Sequence, residues 1–446
     1  MRGRLITKFL LLVVGVLILL FIWKTLPIIS GYAAKVVASG VYVAGRPGED
    51  VIRHDLVSFP ANLASCKVDS SDSSVTASVL GLAPRKALYR RGLGVTLVSG
   101  LSEAEIRSQK VDVAVPPVRD MDTVDWPRGD RVMDWGKDTA RLGTAVGLAF
   151  GQGEAESGTR AVIVVYHGRL VYERYAPGFD RHTRLTGWSM TKGVTSALAG
   201  ILVGQHQLAL QEPAPVEQWQ KDDRRSIRVE DLLQMNSGLS WWELYAGPAD
   251  ATRMLFEEED MGGFAERSAL RHSPGKVFNY SSGTANILSL IIRNKIGTGY
   301  YRWPYEQLFY KTDMYSAVLE PDASGTFVGS SYCYATARDW ARFGLLYLRD
   351  GVWEGQRVLP QGWVAFTKKD GNNGEGGGYG AMWWLNTDGK RFPGVPSDCY
   401  NCDGYEGQYI WVIPSKDLVV VRLALEHGGR LKSAEFLKRI IAVCDR

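Results

Sequence analysis

From Phe9 to Trp23 the chain is apolar without a break, FLLLVVGVLILLFIW, behind a short basic start, MRGRLITK. Between Leu5 and Ile29 only Thr7, Lys8, Lys24, Thr25 and Pro27 interrupt the run. Basic residues ahead of an apolar core form the export pattern and keep the N-terminus in the cytoplasm. The core of 15 residues is shorter than the ~20 usual for a spanning helix. No small-x-small cleavage site follows it directly, since Trp23, Lys24, Leu26 and Pro27 fill that stretch; Gly31-Tyr32-Ala33 is a later one. The pattern favours an uncleaved anchor over a cleaved signal. Either way the rest of the chain is expected outside the cytoplasm, in the periplasm or beyond the cell.

Past this segment, assigned to 1–31, the pattern becomes short and alternating. GVYVAG, SSVTASVLGL and GVTLVSGL read as β pieces separated by Gly, Pro and Ser. They form an accessory lead-in over 32–135, with the Pro- and Asp-rich VPPVRDMDTVDWPRGD (115–130) near its boundary. The main domain is expected over 136–446. It opens on AVIVVYHGRLVYERYA, two β-runs around the turn signal His167-Gly168. It closes on QYIWVIPSKDLVVVRLAL, two more β-runs, and LKSAEFLKRIIAVC, an amphipathic helix. YGAMWWLN adds a strand, and 189–370 is mainly helical. These elements predict an α+β fold: an antiparallel sheet built from both ends of the domain, flanked by helices, with a helical insertion. The Gly-rich DGNNGEGGGYG (370–380) lacks the phosphate-loop form and reads as a surface loop.

At 446 residues, 45% hydrophobic and 22% charged, the chain is an ordinary folded protein of one large or two fused domains. Its formal net charge of +4 carries no basic stripe, which argues against nucleic acid as a partner. The five cysteines are compatible with an exported chain, and Cys399-Tyr400-Asn401-Cys402 fits a small loop disulfide or two inert thiols better than an isolated zinc half-site. The six histidines are scattered, so no metal or other cofactor is expected.

Chemistry enters at GWSMTK (187–192). The small, apolar stretch that follows reads as a buried helix, and residues three apart share a helix face, setting the Lys192 amine beside the Ser189 hydroxyl. An adjacent amine that gives up its proton can activate a serine. Alone, the tetrapeptide also fits an N-cap serine with an exposed lysine. A second segment, PGKVFNYSSGTANILSLII (274–292), places Tyr280 and Ser282 at the mouth of another helix. They could face a cleft, or be a core tyrosine and a capping serine.

Ser189-Met190-Thr191-Lys192, Tyr280-Ser281-Ser282 and GYEGQ (404–408), in that order, resemble the three motifs of the serine β-lactamase and penicillin-binding protein superfamily. The similarity is greatest to its class C-like branch of esterases, D-aminopeptidases and 6-aminohexanoate-dimer hydrolases. VEDLLQMNSGLSW, YATARDWARFGLLYLRDGVWEGQRVLP and IPSKDLVVVRL add to it, over about 155–446. The resemblance implies a serine β-lactamase-like fold, with Ser189 as nucleophile and Lys192 as its base, burial disfavouring the ammonium. It makes Tyr280 a proton relay and Ser282 a substrate contact. The oxyanion would be held by backbone N–H groups of Ser189 and Gln408, the residue after Gly407. One departure stands out. Where relatives begin the third motif with Lys or His, this chain has Tyr405-Glu406-Gly407, which argues against carboxylate-bearing β-lactams as preferred substrates. The expected function is an extracytoplasmic hydrolase of a small amide or ester. A β-lactamase, a D,D-peptidase acting on peptidoglycan, and a binding or sensor module that has lost turnover are the alternatives.

Overall fold

The computed structural model describes residues 2–133, 139–151, 158–371, 378–426 and 431–445. The centre of the Gly-rich loop, 372–377, and the boundary expected at 135/136 fall outside them. The described chain forms two compact units, and the division along it comes earlier, after Gln109.

The first unit comprises Met1–Gln109, Trp242–Asp260 and Asp322–Gly325. Helix α1, Arg2–Tyr42, is its spine. The described side chains of α1 are largely exposed as far as Lys24, whereas Ile28–Ile29, Ala33–Ala34 and Val37–Ala38 are buried. Its buried half packs on a four-stranded antiparallel sheet in the order β1–β2–β3–β4 (Ala64–Asp69, Ser74–Val79, Leu82–Arg90, Gly94–Leu97). GVYVAG, read as a strand, is instead the end of α1 and the turn after it. Local β-propensity yields there to tertiary burial: a Cβ on Gly40 would stand 2.7 Å from Val51 Cγ1, so the glycine permits close helix packing. SSVTASVLGL and GVTLVSGL do supply strands, β2 running into β3 and β4.

The second unit holds a six-stranded antiparallel sheet. Its strands are β5 Thr159–Tyr166, β6 Arg169–Tyr175, β7 Trp384–Leu385, β8 Tyr400–Gly404, β9 Gln408–Ile413 and β10 Leu418–Ala424, in the order β7–β8–β9–β10–β5–β6. Both ends of the domain thus meet at the β10–β5 ladder, where Val420 faces Val164. The β5–β6 hairpin turns at His167 and Gly168, both with positive φ. On one face Val164, Val420 and Trp411 pack against helices α2 (Thr139–Gly147) and α6 (Ser433–Cys444) through Leu142, Val146, Phe436 and Ile440. Full burial of each such side chain contributes about 1.5–3 kcal/mol. The opposite face carries α5 (Ala337–Leu348), whose Gly344 lies tight against Val419 and Ile410. Helices α3 (Thr191–Gly204) and α4 (Ser282–Ile296) belong to the helical insertion. The VPPVRDMDTVDWPRGD stretch is strapped onto this unit by buried Arg342, which donates to the Pro127 and Gly129 carbonyls and pairs with Asp130.

Candidate active site

A single tight turn, Trp188–Met190, feeds Ser189 into α3. The Gly187 N–H donates to the Cys333 carbonyl at 2.8 Å. A Cβ on Gly187 would lie 2.5 Å from the Trp340 ring, so glycine alone fits. Trp188 follows with φ of +45°, a left-handed conformation that costs a bulky residue on the order of 1–3 kcal/mol. Its ring packs edge-on against Tyr332 and Tyr405, at 6.1 and 5.8 Å between centroids. These contacts hold the turn, and Ser189 emerges half-buried at the start of α3.

Lys192, in the first turn of α3, is 1% exposed. Its Nζ is 3.0 Å from Ser189 Oγ, 3.0 Å from Ser282 Oγ and 3.1 Å from the Ser330 carbonyl. An ammonium donates to all three. A neutral amine can instead donate to Ser282 and Ser330 and turn its lone pair to the Ser189 hydroxyl. Buried Asn286 fixes the third partner, its Oδ1 accepting from the Ser330 N–H at 3.1 Å.

Ser281, not Ser282, caps α4: its hydroxyl accepts from the Thr284 N–H at 2.9 Å. That leaves the Ser282 hydroxyl directed at Lys192. Tyr280 lies on the same side, its ring centroid 4.8 Å from Lys192 Nζ. The ring is stacked on Trp384 at 5.5 Å and meets Tyr379 edge-on at 5.9 Å. Ser189, Lys192, Tyr280 and Ser282, separated by up to 93 positions in the chain, therefore converge.

The third segment arrives in a different register from the one expected. Gly404, the last residue of β8, presses on the turn that carries Ser189: a Cβ there would lie 2.2 Å from the Gly187 carbonyl oxygen. Tyr405 follows at the rim, 45% exposed, against Trp188. Gly407 and Gln408 face the sheet instead. Gly407 abuts Arg422 and Glu426. The Gln408 side chain is buried, its amide bridging to the Ala424 carbonyl and N–H across the β9–β10 pair. Glu406 (φ +64°) turns the hairpin, its carbonyl accepting from Glu426 N–H and Gln408 Nε2.

A family model described as beta-lactamase matches residues 149–437. This chain belongs to the β-lactamase family. It is 26% identical over 300 residues to the 6-aminohexanoate-dimer hydrolase of Paenarthrobacter ureafaciens, a match covering 60% of this chain and 73% of that protein. Among solved structures it is similar in fold to a 6-aminohexanoate-dimer hydrolase homologue from Bacillus anthracis, with a TM-score of 0.56, 22% identity and coverage of 65% of this chain and 79% of the other. It is also similar to a family VIII carboxylesterase, with a TM-score of 0.52, 13% identity and coverage of 68% and 97%.

In this β-lactamase-family hydrolase a charged wall stands beside Tyr280. Asp403 in β8 pairs with Arg391. The Arg391 guanidinium lies 4.2 Å over the Trp384 ring and also donates to Asn401 Oδ1 at 3.2 Å. Burial raises the Asp403 carboxyl above its ordinary range, and the positive charges of Arg391 and Lys192 oppose that. Sequence reasoning missed this cluster. Trp384 was legible only as a strand residue, and Arg391 sits in a loop with no motif. Cys399 and Cys402 are both buried thiols raised by desolvation, with Cys402 Sγ packed against Gly193 of α3.

The Gly404 contact yields a direct expectation. Gly404→Ala forces β8 away from the Ser189 turn. A displacement near 1 Å at such a site costs about 100-fold in rate. The variant should therefore lose about 100-fold in kcat on a neutral p-nitrophenyl ester while its circular dichroism spectrum stays native. Near-normal kcat would show that β8 does not set the catalytic geometry.

Proposed function

We propose that the protein hydrolyses an amide or ester of a small, uncharged substrate through an acyl-enzyme on Ser189, in a domain held outside the cytoplasm. The observation that carries this reading is the buried Lys192 amine 3.0 Å from the hydroxyls of both Ser189 and Ser282. Lys192 takes the Ser189 proton as Oγ attacks the carbonyl carbon. The oxyanion forms opposite backbone N–H groups of Ser189 and, in the register the structure supports, Tyr405 rather than Gln408. Tyr280 passes a proton to the departing amine or alcohol, Ser282 contacts the substrate, and water then releases the acid and frees Ser189. Amide and ester chemistry both appear among the named relatives, the dimer hydrolase and the carboxylesterase. Incubation with a fluorophosphonate followed by peptide mapping tests the assignment: the label belongs on Ser189. Labelling elsewhere, or none, overturns it.

The charge at the third segment supports neutral substrates over β-lactams and D-Ala-D-Ala peptides. The cation nearest Tyr280's stacking partner, Arg391, is already paired with Asp403, and Glu406 adds a further acid next to Tyr405. Like charges ~4 Å apart repel by up to ~4 kcal/mol at an effective dielectric of 20. The wild-type enzyme should show a higher kcat/KM for a neutral p-nitrophenyl ester than for a chromogenic cephalosporin. Asp403→Asn, which keeps the shape but releases Arg391 from its counter-charge, should shift that ratio toward the cephalosporin. An unmoved ratio would detach Arg391 from substrate choice, and wild-type preference for the cephalosporin would favour the β-lactamase reading.

A further inference from the structure

The first unit carries an exposed aromatic loop at one particular level of α1. Trp242, Leu244 and Tyr245 are 61%, 37% and 41% exposed. The loop leads into the helix Asp250–Glu257, to which it is tied by Trp242 N–H donating to Asp250 Oδ2 at 2.9 Å. This helix runs alongside α1 in the same direction. At its start, a Cβ on Gly247 would stand 3.2 Å from Phe21 Cζ; at its end, a Cβ on Gly31 would stand 3.0 Å from the Phe256 carbonyl oxygen. The ring of Phe256 also meets Tyr32 edge-on at 5.7 Å. The loop therefore sits beside Phe21, at the end of the helix facing the apolar run.

That level is where α1 changes character. The apolar run Phe9–Trp23, whose described side chains are largely exposed, is followed by Lys24 and then by the buried half. Counted from Ile6, with Thr7 and Lys8 at its inner end, the 18 residues to Trp23 span about 27 Å at 1.5 Å per residue, close to the ~30 Å hydrocarbon thickness of a bilayer. Phe21, Ile22 and Trp23, 55%, 45% and 68% exposed, thus mark its outer boundary. Trp and Tyr concentrate at that depth because their apolar bodies enter the acyl region while their polar edges stay hydrated. Lys24 follows Trp23 directly, and cationic side chains favour the phosphate plane.

Resting on the reading of α1 as a membrane span, we propose that the Trp242–Gly247 loop is a second membrane contact. It places Trp242 and Tyr245 in the lipid headgroup region beside Phe21, and so seats the first unit flush on the bilayer instead of on a free stalk.

Depth-dependent quenching in proteoliposomes tests this with the full-length chain. A Cys66→Ser background removes the one partly exposed native thiol; the other four are buried. Single cysteines carrying an environment-sensitive fluorophore are placed at Tyr245, independently at Trp242, at Val14 within the apolar run, and at Ser71. Ser71 is exposed in the turn next to Asp69, whose carbonyl accepts from Tyr42 at the far end of α1. In phosphatidylcholine–phosphatidylglycerol vesicles, Tyr245 and Trp242 labels should lose more emission to a headgroup nitroxide lipid than to a mid-chain one. Val14 should show the reverse, and Ser71 should lose emission to neither. Quenching at Val14 with water-like emission at both loop positions overturns the loop contact alone. Absence of quenching at Val14 as well overturns the span on which it rests. A blue-shifted loop label that no lipid quencher reaches identifies a protein partner or second copy there, and also overturns the proposal.

Discussion

Ser189→Ala is expected to abolish fluorophosphonate labelling and to lower kcat/KM on a neutral ester by on the order of 10⁴–10⁶-fold, leaving the melting temperature within a few degrees of wild type. The size follows from the geometry. Ser189 supplies the hydroxyl that the buried Lys192 amine reaches at the half-buried start of α3, and alanine offers the amine nothing to activate there. The fold barely depends on this hydroxyl, because the turn is held by Gly187, by Trp188 packing and by the Gly187 N–H bond to Cys333. Residual turnover near wild type in Ser189→Ala would refute the acyl-enzyme mechanism outright. A variant that is inactive but unfolded would be uninformative on stability grounds, so thermal melts accompany the kinetics.

Lys192→Arg should be nearly as damaging as Lys192→Ala, with a loss of about 10³-fold or more in kcat. Arginine preserves the positive charge but cannot surrender its proton at any pH at which the protein functions. It therefore separates a base from a mere cation. The planar guanidinium must also fit the space bounded by Ser189, Ser282 and the Ser330 carbonyl, all within 3.1 Å of Nζ. A melting curve and the reaction rate with fluorophosphonate guard against a purely steric result. Substantial hydrolysis by Lys192→Arg would assign the base elsewhere, first to Tyr280, whose ring borders Nζ at 4.8 Å.

Much of this protein is determined locally and was therefore readable along the chain. The Ser189–Lys192 neighbourhood follows from helical spacing. The His167-Gly168 hairpin follows from turn chemistry, the Ser433–Cys444 helix from its periodicity, and the exposed apolar half of α1 from composition alone. The antiparallel sheet drawn from both ends of the domain was legible because three of its four long β-runs are strongly apolar and the fourth follows a clear hairpin turn. What only the tertiary structure decided involves residues far apart in sequence. Two adjacent serines, Ser281 and Ser282, divide capping from contact with Lys192 according to how α4 docks on α3. Gly404 rather than Gly407 meets the turn that carries Ser189, because register across a hairpin depends on which glycine can bear the approach of another backbone. GVYVAG ends α1 instead of forming a strand because Ile28–Val43 is covered by a sheet that the local pattern cannot announce. Arg391, Trp384 and Asp403 assemble from a loop and two strands with no spacing rule to connect them. Local spacing and turn chemistry act within a few residues, so the sequence carried them openly; docking, register and charge pairing depend on which distant surfaces exclude water together, and that exists only once the chain has folded.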